Sequence, residues 1–251
     1  MKYLEEINKH PRDKNLSFIE DTHTYYYKDK IFYSVTTYIS KLFNEFNKDL
    51  CIQNMMKSKN WSSHELYGKT KEEISEIWSN RNKDAIKEGV QLHNDIEDYL
   101  NNIAIENSSI EFQYFQKFLN EHQFRVFRTE WKIYDESLKL AGTIDMCSIH
   151  SNGTITIYDW KRSKSIIKSK NYPTYSNQKE LSHIEDTNFN HYALQLNLYK
   201  YILEKKYNYK VNGMYLVCLH PENKNKDYLL YNVPTMKKEI DFIIKFIERN
   251  N

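Results

Sequence analysis

The chain has 251 residues, with 36 Lys and Arg against 34 Asp and Glu, a net charge of +2. Hydrophobic residues at 40%, charged ones at 28%, and only 5 Gly and 4 Pro describe a folded, loop-poor chain and exclude a disordered or fibrous one. No apolar run approaches the roughly 18 residues of a membrane span, and the acidic start Met1-Lys2-Tyr3-Leu4-Glu5-Glu6 lacks a signal peptide's apolar core, so a soluble, intracellular protein is expected.

Residues 16–35 read as short strands around the turn-like Glu20-Asp21 and Lys28-Asp29-Lys30. From 35 to about 100, apolar residues at three- and four-residue spacing predict helices, with polar breaks at 58–60 and 61–69. A short helix is expected over 111–122. The blocks 124–134, 138–149 and 154–161 change to β-branched and aromatic residues and read as strands. The lysine-rich stretch 163–187 is expected as a mobile loop. A helix over about 190–206, strands at 211–219 and 228–233, and a helix over 234–248 opened by Pro234 complete the chain. This order predicts an α/β fold: strands and a helical lobe over 1–88, an α/β core over 89–251, packed as one unit. The three cysteines, Cys51, Cys147 and Cys218, are scattered, form no C-x-x-C pair, and read as small buried hydrophobes.

The most informative segment runs from Ala141-Gly142-Thr143-Ile144-Asp145 through Ser151-Asn152-Gly153 to Ile157-Tyr158-Asp159-Trp160-Lys161. Ser-Asn-Gly between two strand-like runs signals a hairpin. A two-residue turn would set Asp145 opposite Trp160 and mix apolar with acidic positions on each face. A three-residue loop with Gly153 left-handed aligns Ile149 with Ile155, Cys147 with Ile157 and Asp145 with Asp159, which keeps the sets apart. Lys161, two residues beyond Asp159, projects from the same face. Lys161 neutralising the acids at a sheet edge would be the plainer account, but it explains neither the second carboxylate nor the apolar flank. Two opposed carboxylates fit a hard divalent cation such as Mg²⁺ or Mn²⁺, which polarises a phosphate and activates its water.

Asp145 followed after a 13-residue gap by Asp159-Trp160-Lys161 resembles the PD-(D/E)XK nuclease core. Gly89, His93 and Glu97, four apart on one helical face, resemble the G-x-x-x-H-x-x-x-E helix of RecB-type nucleases. Gln195-Leu196-Asn197-Leu198-Tyr199 is similar to that branch's Q-x-x-x-Y motif, and Glu130 to an acid placed near its metal. Ser34-Val35-Thr36-Thr37 resembles the opening of the branch that includes the mitochondrial genome maintenance exonuclease. The resemblance implies a mixed central sheet flanked by helices, with an N-terminal helical lobe as a DNA-covering arch. It implies His93, Asp145, Asp159 and the Trp160 backbone carbonyl as metal ligands. Lys161 would act on the attacking water, with Glu130, Gln195 and Tyr199 completing the catalytic set. Three scattered cysteines do not supply the four an iron–sulfur cluster needs, so none is expected. No G-x-x-x-x-G-K-[ST] loop is present, so a helicase or recombination protein would be a separate partner.

In the loop after the catalytic strand, Arg162, Lys164, Lys168, Lys170 and Lys179 interleave with Tyr172 and Tyr175, a pattern suited to phosphates and stacked unpaired bases. The expected function is a metal-dependent exonuclease on single-stranded DNA ends, serving replication, repair or recombination. A PD-(D/E)XK endonuclease and a non-cleaving nucleic-acid-binding module are the alternatives.

Overall fold

The computed structural model describes residues 2–250; Met1 and Asn251, which end the two expected regions, lie outside them. After α1 (Tyr3–Ile7), the strands β1 (Leu16–Ile19), β2 (Thr24–Tyr27) and β3 (Lys30–Ser34) form an antiparallel meander. Lys28 and Asp29 both take positive φ, +47° and +65°, as a tight two-residue β2–β3 turn demands. Ser34 closes β3 and caps α2 (Val35–Ser40), its Oγ accepting from the Thr37 N–H at 3.0 Å. The Ser-Val-Thr-Thr segment is therefore a strand end and a helix start at once.

Asn47 caps α3 (Lys48–Met56), and Thr70 with Glu73 forms a reciprocal capping box at the head of α4 (Lys71–Leu100). α5 (Ile110–Glu121) precedes the central strands β4 (Val126–Asp135), β5 (Leu140–Ile149) and β6 (Ile155–Lys161). α6 (Asn188–Lys206), β7 (Val211–Cys218), β8 (Leu229–Asn232) and α7 (Lys237–Asn250) follow. The last helix starts three residues after Pro234. Buried Asn197 of α6 donates to the Pro234 carbonyl at 3.0 Å and accepts from the Met236 N–H at 2.8 Å, so the turn between them is fixed from outside.

All eight strands join one mixed sheet in the order β1-β2-β3-β5-β6-β7-β8, with β4 also on β5. The β3–β5 and β6–β7 pairs are parallel and the rest antiparallel. One face carries Cys147, Ile157 and Leu216 against Leu194, Leu196 and Leu198 of α6, with α7 completing that core. The other carries Met146, Tyr158, Trp160 and Val217 against Leu92 and Ile96 of α4 and the three phenylalanines Phe112, Phe115 and Phe118 of α5. A separate small core of Ile52, Leu66 and Ile74 holds α3 to the first turns of α4. Between the two packed ends of α4, every residue from 80 to 88 is exposed. Among the described residues, no helix is long and apolar enough to cross a membrane.

Candidate active site

The β5–β6 register is that of the three-residue loop: Ile149 pairs with Ile155, Cys147 with Ile157 and Met146 with Tyr158. Gly153 sits at φ +78°. The ladder ends at Met146/Tyr158, one step before the two aspartates. There the Trp160 N–H donates to Asp145 Oδ2 at 2.7 Å, so a side chain takes the backbone donor beyond the last pair. β3 meets the far end of β5 at Leu140 and Ala141, leaving residues 142–145 between two partners.

On the other edge of β5, Thr129 pairs with Met146 and Trp131 with Ile144, so Glu130 falls opposite Asp145. Glu130 has φ +41°, a left-handed conformation a non-glycine residue rarely holds in a strand. Its carboxylate lies 3.6 Å from His93 Nδ1, and Asp145 Oδ2 lies 3.7 Å from the same atom. His93 projects from α4, and its Nε2 is 3.1 Å from the Trp160 carbonyl. With Nε2–H donating to that carbonyl, Nδ1 faces the acids. His93, Glu130 and Asp145 thus offer ligand atoms all within 4.8 Å of one another.

Burial alone would lower the His93 pKa, but Asp145 and Glu130 outweigh it and hold the imidazole up at about 9. Asp145 is raised by its own burial, against the pull of His93. Asp159, next on β6, lies outside the cluster of three. Burial pushes it up to about 6, opposed by Lys161. Lys161 Nζ is 2.7 Å from the buried Asp159 Oδ2, an ion pair inside the site. Burial would lower the ammonium, but Asp159 and Asp145 overturn this and raise it. The same ammonium lies 4.4 Å from the centre of the Tyr192 ring.

α6 backs the site. Gln195 Nε2 donates to Asp159 Oδ1 at 3.4 Å and to the Tyr199 hydroxyl at 3.0 Å. The Tyr199 ring lies on Gly142 of β5, where a Cβ would come within 2.4 Å of a ring carbon, so only glycine fits. The structure therefore brings together His93, Glu130, Asp145, Asp159, Trp160, Lys161, Gln195 and Tyr199. The loop residues are a different matter. Arg162 is held by Glu88 at 2.7 Å and Glu111 at 2.8 Å, tying the end of β6 to α4 and α5. Lys164 pairs with Glu222 at 2.9 Å, Lys170 with Asp186 at 3.9 Å, and Lys168 lies over Phe189 at 4.8 Å. Tyr172 is 91% exposed and Tyr175 44%. The loop is pinned to the end of α2, with Ser176 Oγ and the Asn177 N–H both donating to the Leu42 carbonyl. Tyr192 is absent from the sequence-derived set, although its place three residues before Gln195 puts it on the same helical face.

The profile of the PD-(D/E)XK nuclease superfamily matches residues 50–249. The chain belongs to the PD-(D/E)XK nuclease superfamily. Its matched span covers the helix bearing His93, the three central strands and α6. No curated protein matches the chain. Among solved structures, SSO0001 is similar at 15% identity and TM-score 0.35, over 99% of this chain and 82% of that one. A candidate exonuclease from Eubacterium rectale is similar at 11% identity and TM-score 0.39, over 87% of this chain and 78% of that one.

The donor set fits a divalent cation. Two carboxylates and an imidazole converge, and the buried Asp159 carboxylate stands beside them on β6. Oxygen donors of this kind, with one imidazole, are the ligands that hard divalent cations take.

Proposed function

We propose that this PD-(D/E)XK nuclease is a metal-dependent deoxyribonuclease of the RecB-type branch that degrades single-stranded DNA from an end. The observation that carries the reading is the convergence of His93, Glu130 and Asp145 beside the Asp159–Lys161 pair. His93, Asp145 and Glu130 would hold the cation, with Asp159 and the Trp160 carbonyl completing its surroundings. Bound there, Mg²⁺ or Mn²⁺ would polarise the scissile phosphate and lower the pKa of an attacking water.

The protein's own groups do the rest. Lys161 orients or activates the attacking water and, as an ammonium, offsets the charge that grows on the phosphate oxygens. Asp159 holds Lys161 in place. Gln195 and Tyr199 fix Asp159 from behind and keep α6 against Gly142.

Tyr172 and Tyr175 offer aromatic faces to unpaired bases, and Lys164, Lys168 and Lys170 lie along the same loop to meet phosphates. Arg162 would support them by anchoring the loop's start. The α3–α4 lobe, carried on the exposed stretch of α4, is proposed as the cover under which a free end threads. A helicase or recombination protein would supply unwound strands during replication, repair or recombination.

Asp159→Ala and Lys161→Ala are each expected to lower cleavage at least a hundredfold while leaving DNA binding, read by fluorescence anisotropy, within about threefold. Normal cutting by both variants would place the chemistry elsewhere.

A further inference from the structure

We propose that Tyr192 is a positioning residue for Lys161, its ring acting as a second anchor that keeps the ammonium at the site. The proposal rests on the reading of Lys161 as the group that acts on the attacking water.

Lysine carries its charge on a flexible four-carbon stem, so a single contact does not fix where the ammonium sits. Asp159 supplies one contact, an ion pair of 2.7 Å between Nζ and its Oδ2. The Tyr192 ring supplies the other, with Nζ 4.4 Å from its centre, and the lysine side chain is only 17% exposed. A cation over an aromatic face is held by the ring's quadrupole, and more firmly where water is excluded. The two contacts come from different elements, β6 and α6, and together they restrict the stem far more than either alone.

The ring also does what the carboxylate does not. A divalent cation held by the carboxylates would repel the ammonium and compete for Asp159, whereas the ring would not ligate it. The contact Tyr192 makes with Lys161 is through its ring face, which lies 4.4 Å from the ammonium. Tyr192, Gln195 and Tyr199 stand at i, i+3 and i+7 on one face of α6. In that order they meet Lys161, Asp159 and Gly142, so one helical stripe sets three residues of β5 and β6.

The test uses the whole protein, labelled with ¹³C-lysine, and the variants Tyr192→Phe and Tyr192→Leu. Ring currents shift protons over an aromatic face upfield, so the Lys161 ε-methylene signal, assigned with Lys161→Arg, is expected upfield in the parent and in Tyr192→Phe. In Tyr192→Leu it is expected to return to the ordinary lysine position. On end-labelled single strands, Tyr192→Leu is expected to lower kcat about tenfold with KM unchanged, and the phenylalanine variant to restore it to within about twofold. Should the leucine variant fold poorly, Tyr192→Met, also without a ring, carries the same comparison.

A Lys161 signal that stays in place without the ring overturns the proposal. So does a phenylalanine variant as impaired as the leucine one, since the hydroxyl would then be the acting group. The spectrum needs no substrate. A parent protein that fails to cut DNA would therefore sink the nuclease reading while the Lys161 signal still decides the ring contact.

Discussion

Glu130 is where backbone preference and site geometry pull against each other. Its φ of +41° inside a strand sets a carboxylate opposite Asp145 and beside His93. Left-handed backbone costs a branched or long residue about 1 kcal/mol. Asparagine tolerates that φ and removes the charge. Glu130→Asn is accordingly expected to raise stability by about 1 kcal/mol, read as a higher urea midpoint at unchanged slope. It is also expected to weaken Mn²⁺ binding at least tenfold by calorimetry. Lower stability with unchanged metal affinity would make Glu130 a residue of the fold alone. Glu136 behaves differently. Arg12 holds its carboxyl down to about 2, from an ordinary value near 4.5. A depressed carboxylate stabilises the fold fully above its unfolded pKa and loses that contribution as pH falls through about 2. The melting temperature of Glu136→Gln is therefore expected to fall short of the parent's at pH 7 and to meet it near about pH 2. A gap that persists in acid would assign the loss to packing.

α4 spans about 45 Å at 1.5 Å per residue, yet only its ends are packed. Gly89 lies where the exposed stretch meets the core, and a Cβ there meets nothing within 4 Å. Gly89→Ala should stabilise the protein by about 1 kcal/mol through helix propensity, measured by urea denaturation, with Mn²⁺ affinity unchanged. Destabilisation would mean that the helix bends there in solution. At this scale the sequence is most readable. Alternation and one Ser-Asn-Gly turn suffice to set Asp145 toward Asp159 and to put Lys161 on the same face, because a strand's period of two leaves no freedom once the register is known. Helical spacing by itself leaves His93 and the Gln195–Tyr199 pair as ordinary helix residues, and the family resemblance is what singles them out. What periodicity does not encode is a positive φ, or a contact between residues distant in sequence. Glu130's conformation, the Arg162 ties to Glu88 and Glu111, the Tyr192 ring over Lys161, and the turn that Asn197 fixes after Pro234 all belong to that kind.

Across the whole molecule, one sheet separates two cores, and the candidate site opens where the paired ladder of β5 and β6 ends. His93 reaches it from the helix on one face, and Tyr192, Gln195 and Tyr199 from the helix on the other. The small α3–α4 lobe stands off this body on exposed helix, with the pinned lysine- and tyrosine-bearing loop also reaching the end of α2. That arrangement suits a strand led past the lobe to the carboxylates. The most direct test is a time course on DNA labelled at either end, comparing linear single strands, circular single strands and duplex, with Mn²⁺ or Mg²⁺ against EDTA and with Lys161→Ala alongside. The account predicts metal-dependent loss of linear single strands, intact circles and an inactive variant. Cleaved circles would contradict the requirement for an end, and DNA that is bound but never cut under either metal would contradict the nuclease itself.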